Sequence, residues 1–206
     1  MKKTLIAIPR MDSVPTQFRQ ALAMLQKEDE VALSFQVGSL VYNARNNLAK
    51  TAAEMGADYV FWLDSDMVFA PDTLVRMRKT LEENDLDFLT GVYFRRVPPF
   101  SPVLYSKMSD NGMDYAEVTD LPTAGLFEVA ACGFGCVLMR TDVIINTYAE
   151  TGEMFTPIGG TGEDISFCIR ARQCGYKIMA DPSIVLGHVG HAVFTRDYWE
   201  ALKNNK

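Results

Sequence analysis

Histidine is nearly missing from this 206-residue chain: only His188 and His191 occur, among 26 acidic and 20 basic residues. The resulting net charge of -6 argues against general nucleic-acid binding, which draws most of its affinity from cations placed on phosphates. No stretch reaches the roughly 18 apolar residues of a membrane span, so there is no transmembrane segment and any membrane association is expected to be peripheral. The amino-terminal run Leu5 to Ile8 follows Lys2 and Lys3, stops at Pro9, and is too short for a signal-peptide core. Cys132, Cys136, Cys168 and Cys174 form no CxxC pair. They read as small apolar thiols in a reducing cytoplasm, ahead of a zinc site or a disulfide framework. Neither a P-loop nor a GxGxxG fingerprint is present. Linkers rich in Pro, Gly or Ser are absent as well, so the simplest organisation is a single domain over residues 1–206, with the oligomeric state open.

What is present is an ordinary globular composition, 48% hydrophobic and 22% charged, arranged as alternating strand and helix patterns. Leu5 to Ile8 and Val31 to Val37 read as strands. Between them, Ser13, Pro15, Phe18, Leu22 and Leu25 give a helix to about Lys27. Ser39 can cap a second helix with Val41, Ala44, Leu48, Ala52 and Met55 on its apolar side and Asn43, Arg45, Asn46 and Asn47 opposite, stopped by Gly56. Tyr59 to Leu63 is a strand, and Pro71 sits where a third helix would begin, with Leu74, Met77 and Leu81 inward. Phe88 to Phe94 follows as a strand. This alternation predicts an α/β fold with one Rossmann-like wound, mostly parallel sheet.

The pattern then changes. Residues 95–126 carry prolines at 98, 99, 102 and 122 and the turn signal Asp110-Asn111-Gly112, predicting a short antiparallel excursion or a mobile loop over the site. Phe127 to Ala131 and Val137 to Arg140 read as strands around Cys132-Gly133-Phe134-Gly135. Thr141 opens a helix, and Gly159-Gly160-Thr161-Gly162 feeds Glu163-Asp164 at the start of another. Tyr176 to Ala180 and Ile184 to Leu186 are late strands, followed by a terminal helix from about Arg196.

Three features carry chemistry. Asp64 and Asp66 lie just outside the carboxyl end of a strand buried on both faces, the crevice where open α/β sheets bind ligands. Two hard oxygen donors there suit Mg²⁺ or Mn²⁺, although short Asp-x-Asp strings are mostly a cap and a solvated turn. Asp164 follows three glycines that let the backbone approach a ligand, while Glu163 is more simply a helix-dipole partner. His188, after a strand, could complete a site of two carboxylates and one imidazole.

The blocks ADYVFWLDSDMVFAPDTL, TGVYFRR, ACGFGCVLMRTDVI, GEDISFCIRARQCGYKIMADPS and GHVG together resemble the A-type glycosyltransferases, in particular small family-two-like members from bacteria and phages. The resemblance runs from about Thr4 to His191. It implies a metal-dependent, hexosyltransferase-like enzyme that moves a sugar from a nucleotide diphosphate sugar to an acceptor hydroxyl. Mn²⁺ or Mg²⁺ would bridge the diphosphate and the carboxylates of the DXD motif. Carried onto this chain, Asp66 matches the direct metal ligand, Asp64 the carboxylate nearer the ribose, and His188 a further metal ligand. Arg45 and Asn46 resemble a nucleotide-side helix motif lining the base or ribose pocket. Asp164 matches the aspartate that serves as general base in inverting members, although retaining members would use it to orient the acceptor. Phe134 or Trp62 could stack on a sugar, with core packing at least as good a reading for Trp62.

Two alternatives stay open. A nucleotidyltransferase would be expected to carry a glycine-rich loop after the first strand, where this chain has Ile8-Pro9-Arg10-Met11-Asp12-Ser13. A non-catalytic sugar-nucleotide or glycan-binding module could use the same fold. Acceptor classes left open are a glycan, a lipid-linked sugar and a protein.

Overall fold

The apolar run behind Lys2 opens the fold as a strand, β1 (Lys3–Arg10). The computed structural model describes residues 1–10, 13–27, 30–38 and 40–190; Ser39 as a cap, His191, and the helix expected from Arg196 lie outside them. Next come α1 (Thr16–Met24), β2 (Glu30–Val37), α2 (Val41–Glu54) and β3 (Tyr59–Leu63). A two-residue strand β4 (Met67–Val68) precedes α3 (Thr73–Glu83) and β5 (Phe88–Val92). The proline-bearing segment contains β6 (Leu104–Met108) and β7 (Tyr115–Glu117), followed by β8 (Phe127–Val129), β9 (Ala131–Cys132) and β10 (Cys136–Arg140). The chain continues with α4 (Thr141–Thr151), α5 (Glu163–Gln173), β11 (Ile178–Val185) and β12 (Gly187–His188).

The main sheet has seven strands in the order β2-β1-β3-β10-β5-β11-β8. β1 runs parallel to β2 and β3, and β5 parallel to β11, while β10 lies antiparallel between β3 and β5 and β8 is antiparallel at the edge. The sheet is thus mostly parallel, with antiparallel strands inserted, as the alternation of strands and helices led us to expect. Side chains alternate across it with period two. Val60 and Trp62 of β3 enter one core beside Leu48 and Ala52 of α2 and Phe167 of α5. Tyr59, Phe61 and Leu63 enter the other, with Phe18 of α1 and Leu74, Met77 and Leu81 of α3. This double burial explains why β3 reads as an unbroken apolar run.

Several boundaries differ from expectation. α1 stops at Met24 because Leu25 turns to extended backbone. Pro71 lies in the turn before α3 rather than in its first turn. β5 ends at Val92, and the two late strands are one, β11, with its register to β5 shifting between Ala180 and Val185. The segment after Arg95 is an antiparallel excursion: β6 pairs with β7 around the Asp110-Asn111-Gly112 turn and with β9 on its other side. Leu104, Met108 and Val118 anchor it in the main core.

Candidate active site

β3 delivers Asp64 and Asp66 to the carboxyl edge of the sheet, and a short antiparallel pairing brings His188 to them across 122 residues of sequence. In that pairing His188 of β12 stands opposite Met67 of β4, and the Val189 amide donates to the Asp66 carbonyl at 2.8 Å. His188 Nδ1 lies 2.9 Å from the Phe94 carbonyl oxygen, and Nε2 lies 3.2 Å from Asp66 Oδ2. A carbonyl only accepts, so Nδ1 carries the proton and Nε2 faces the carboxylate. In the neutral ring this sets two lone pairs against each other, an arrangement resolved by a proton or a cation between them. Burial disfavours the imidazolium, but its bonds to Asp66 and the Phe94 carbonyl outweigh burial and raise the His188 pKa. Arg96 Nη1 adds a contact to Asp66 Oδ2 at 3.1 Å. An Nδ1–H anchored on a backbone carbonyl is also how metal-binding histidines are held, so Asp66 and His188 fit a divalent cation. Among the described residues, no group of three His, Cys, Asp or Glu side chains is close enough to hold one.

Asp64 is turned away from that pair. Its Oδ1 accepts from Arg45 Nη2 at 2.7 Å, and Arg45 Nε donates to Glu163 Oε1 at 3.0 Å. The Arg45 side chain is 2% exposed and lies near the Trp62 and Phe134 rings. It is therefore buried along with Ala44 and Leu48 of α2, although helical spacing set it opposite them, and it lines the cleft. Burial works against the Arg45 cation, but Asp64, Glu163 and Asp164 outweigh it and raise its pKa. Asn46 points elsewhere: its Oδ1 accepts from the Phe155 amide at 3.0 Å, and it does not line the cleft. Trp62 and Phe134 are fully buried and pack against Phe155, so neither offers a face to a ligand.

Glu163 and Asp164 enter from the first turn of α5, and both line the same cleft of about 310 Å³ as Asp64, Asp66 and His188, within the usual size of a ligand site. The dipole at a helix amino end favours an ionised carboxylate. Burial overrides it here: desolvation first and the Glu163 charge second push Asp164 up to about 6, with Arg45 and the Ile165 amide opposing. Desolvation likewise raises Asp64, against the pull of Arg45. Pro9 and Arg10 at the end of β1, Gly38 just after β2 and Val41 at the start of α2 also line the cleft.

Tyr93 was not anticipated from the sequence. Its hydroxyl accepts from the Gly135 amide at 3.3 Å, and its ring meets the His188 ring edge-on at 5.5 Å. A Cβ at Gly133 would collide with the Tyr93 hydroxyl, and one at Gly135 would lie 2.8 Å from its ring. The two glycines of Cys132-Gly133-Phe134-Gly135 make room for this tyrosine, and their spacing was the available clue.

A sequence model of glycosyl transferase family 2 matches residues 25–146, more than half of the chain. The chain belongs to that family. As a glycosyltransferase it shares its fold with A197 from STIV, with a TM-score of 0.67 at 20% identity over 93% of this chain and 87% of that one. It is also similar to GalNAc-T7, whose crystal structure holds UDP, GalNAc and Mn²⁺, with a TM-score of 0.65 at 9% identity. That match covers 93% of this chain and 44% of GalNAc-T7. At these identities the likeness is one of fold. No curated protein matches the chain. Among the described residues, no helix of this glycosyltransferase is long and apolar enough to cross a membrane.

Proposed function

We propose that this glycosyltransferase moves a sugar from a nucleotide diphosphate sugar to an acceptor hydroxyl with inversion, as a single domain over residues 1–206 whose buried thiols suit the cytoplasm. The observation that carries this reading is the convergence of Asp66, His188 and Asp164 on one cleft from three separate elements. Asp66 and His188 would hold Mn²⁺ or Mg²⁺, with Asp64 beside them on the ribose side. When bound, the cation supplies Lewis-acid stabilisation of charge developing on the departing diphosphate. Arg45 fixes Asp64 and Glu163 in place, which makes it a positioning residue, and it also lines the cleft. Asp164 takes the acceptor proton: the acceptor oxygen bonds to the anomeric carbon, the proton passes to the Asp164 carboxylate, and the sugar–diphosphate bond breaks. A base with a pKa near 6 is mostly ionised at neutral pH and still basic enough to accept a proton. Tyr93 keeps the His188 ring upright and helps exclude water.

The bound species in GalNAc-T7 support a nucleotide sugar and a metal for this chain as well. The test is a thermal-shift series with UDP, GDP, CDP and dTDP, each with and without Mn²⁺, followed by a donor hydrolysis assay. A metal-dependent shift with at least one nucleotide and measurable hydrolysis are expected. No shift with any of them would end the donor-site reading, and a shift without hydrolysis would favour a binding module.

A further inference from the structure

A second cavity, of about 380 Å³, opens on the other side of the first turn of α5. Consecutive residues of this turn divide between the two spaces: Glu163 and Asp164 line the donor-side cleft, whereas Gly162 and Ile165 line the second cavity. Its opposite wall is the β6–β7 hairpin, contributing Tyr105 and Tyr115, whose rings meet edge-on at 5.7 Å. Tyr115 is 56% exposed and Met113 beside it 74% exposed, an apolar surface with no core to serve. Tyr105 lies within electrostatic reach of Asp164.

The charge of the lining restricts what fits. No carboxylate lines the cavity, and its cation, Arg95, is already engaged: Nη2 donates to Glu117 Oε1 and to the Tyr105 hydroxyl, each at 2.8 Å. A phosphate would have to compete with Glu117, which already neutralises that cation, and the guanidinium's orphan donor, Nε, is itself buried. A neutral ring with an apolar face and polar edges matches better, because tyrosine presents an apolar ring with a polar tip and the glycine loop Gly160–Gly162 presents backbone groups. A Cβ at Gly112 in the hairpin turn would collide with Thr161, so the hairpin and the loop are packed together and frame one cavity.

We infer that this second cavity is the acceptor site, and that the acceptor is an uncharged sugar whose ring stacks on Tyr115 and whose reacting hydroxyl reaches Asp164. The inference rests on the glycosyl-transfer reading above and adds the acceptor's chemical class. In the transfer, the hydroxyl oxygen bonds to the donor's anomeric carbon, its proton goes to Asp164, and the nucleotide diphosphate leaves with the electron pair of the broken bond.

The experiment is saturation-transfer NMR on the full chain with the methyl α- and β-glycosides of glucose, galactose, mannose and N-acetylglucosamine. It is run on wild type, Tyr115→Ala and Tyr115→Phe, with UDP and Mn²⁺ present. For any glycoside that accepts sugar, KM and kcat follow. Because Tyr115 is on the surface, the alanine variant should fold, and its melting curve checks this. At least one glycoside should bind wild type, weaken roughly tenfold in Tyr115→Ala with KM rising and kcat nearly constant, and recover in Tyr115→Phe. If the wild-type protein binds nucleotide and hydrolyses donor yet binds no glycoside, or binds one equally in Tyr115→Ala, the acceptor inference is overturned and the glycosyl-transfer reading stands. Glycoside binding that depends on Tyr115 in a protein that neither binds nucleotides nor hydrolyses donor would overturn both.

Discussion

Arg45→Met removes the buried cation facing Asp64, Glu163 and Asp164 while keeping similar side-chain volume. Removing one partner of a buried ion pair typically costs about 3–5 kcal/mol, because the other charge is left uncompensated. Here the partners keep some solvent access, 30% for the Asp64 side chain and 15% for Glu163, so they relax in part and the lower end, about 3 kcal/mol, is expected. For a chain of this length each kcal/mol moves the melting temperature by roughly 2–4 °C, giving a fall of about 6–12 °C. The pH dependence is the sharper consequence. Arg45 opposes the upward shift of both Asp64 and Asp164, so its loss raises their folded-state pKa values further above the unfolded ones. A folded state that holds its protons to higher pH loses stability as pH rises through that window. The gap between wild type and Arg45→Met should therefore be small near pH 4, where these carboxyls are protonated, and widen toward pH 8. Melting curves at unit steps from pH 4 to 8 measure this. A variant within about 2 °C of wild type at every pH, or a gap that does not change with pH, would refute the clamp.

Other consequences are narrower. Asp66→Ala should keep the fold and lose the metal-dependent stabilisation by nucleotide, which in wild type amounts to about 2.7 kcal/mol at a hundredfold excess over Kd; a thermal shift reads it directly. Gly133→Ala should cost about 1–3 kcal/mol, as overpacking does, because the added methyl collides with the Tyr93 hydroxyl. In the double variant Gly133→Ala/Tyr93→Phe part of that loss should return, measured by denaturant unfolding.

How far the sequence could be read depended on whether a feature was local. Tyr59–Leu63 is read to the residue, because a strand buried on both faces must be apolar at every position. The same argument says nothing of direction, and β10 between β3 and β5 turned out antiparallel. Helical spacing placed Leu48 and Ala52 of α2 correctly but could not show that Arg45, set opposite them, is buried, since its partners Asp64 and Glu163 lie 19 and 118 residues away. Asn46 misled for the same reason: its partner is the Phe155 amide, 109 residues on. For Asp164 the place at a helix amino end was legible, and the burial that raises its pKa was not. The Asp66–His188 contact depends on a two-residue strand pairing, too short to leave a pattern, so ligand chemistry and resemblance pointed to it and strand reading did not.

The central claim is that Asp164 is the base of an inverting transfer. It is tested most directly by the pH–rate profile and product configuration of wild type beside Asp164→Asn, with a glycoside that accepts sugar or with water in its place. Wild type should show an acidic limb near pH 6 and yield product of inverted anomeric configuration. The variant should lose that limb and fall by roughly 10²- to 10⁴-fold in turnover, with donor affinity nearly unchanged. A variant that transfers at close to the wild-type rate, or a product that keeps the donor's configuration, would contradict the account.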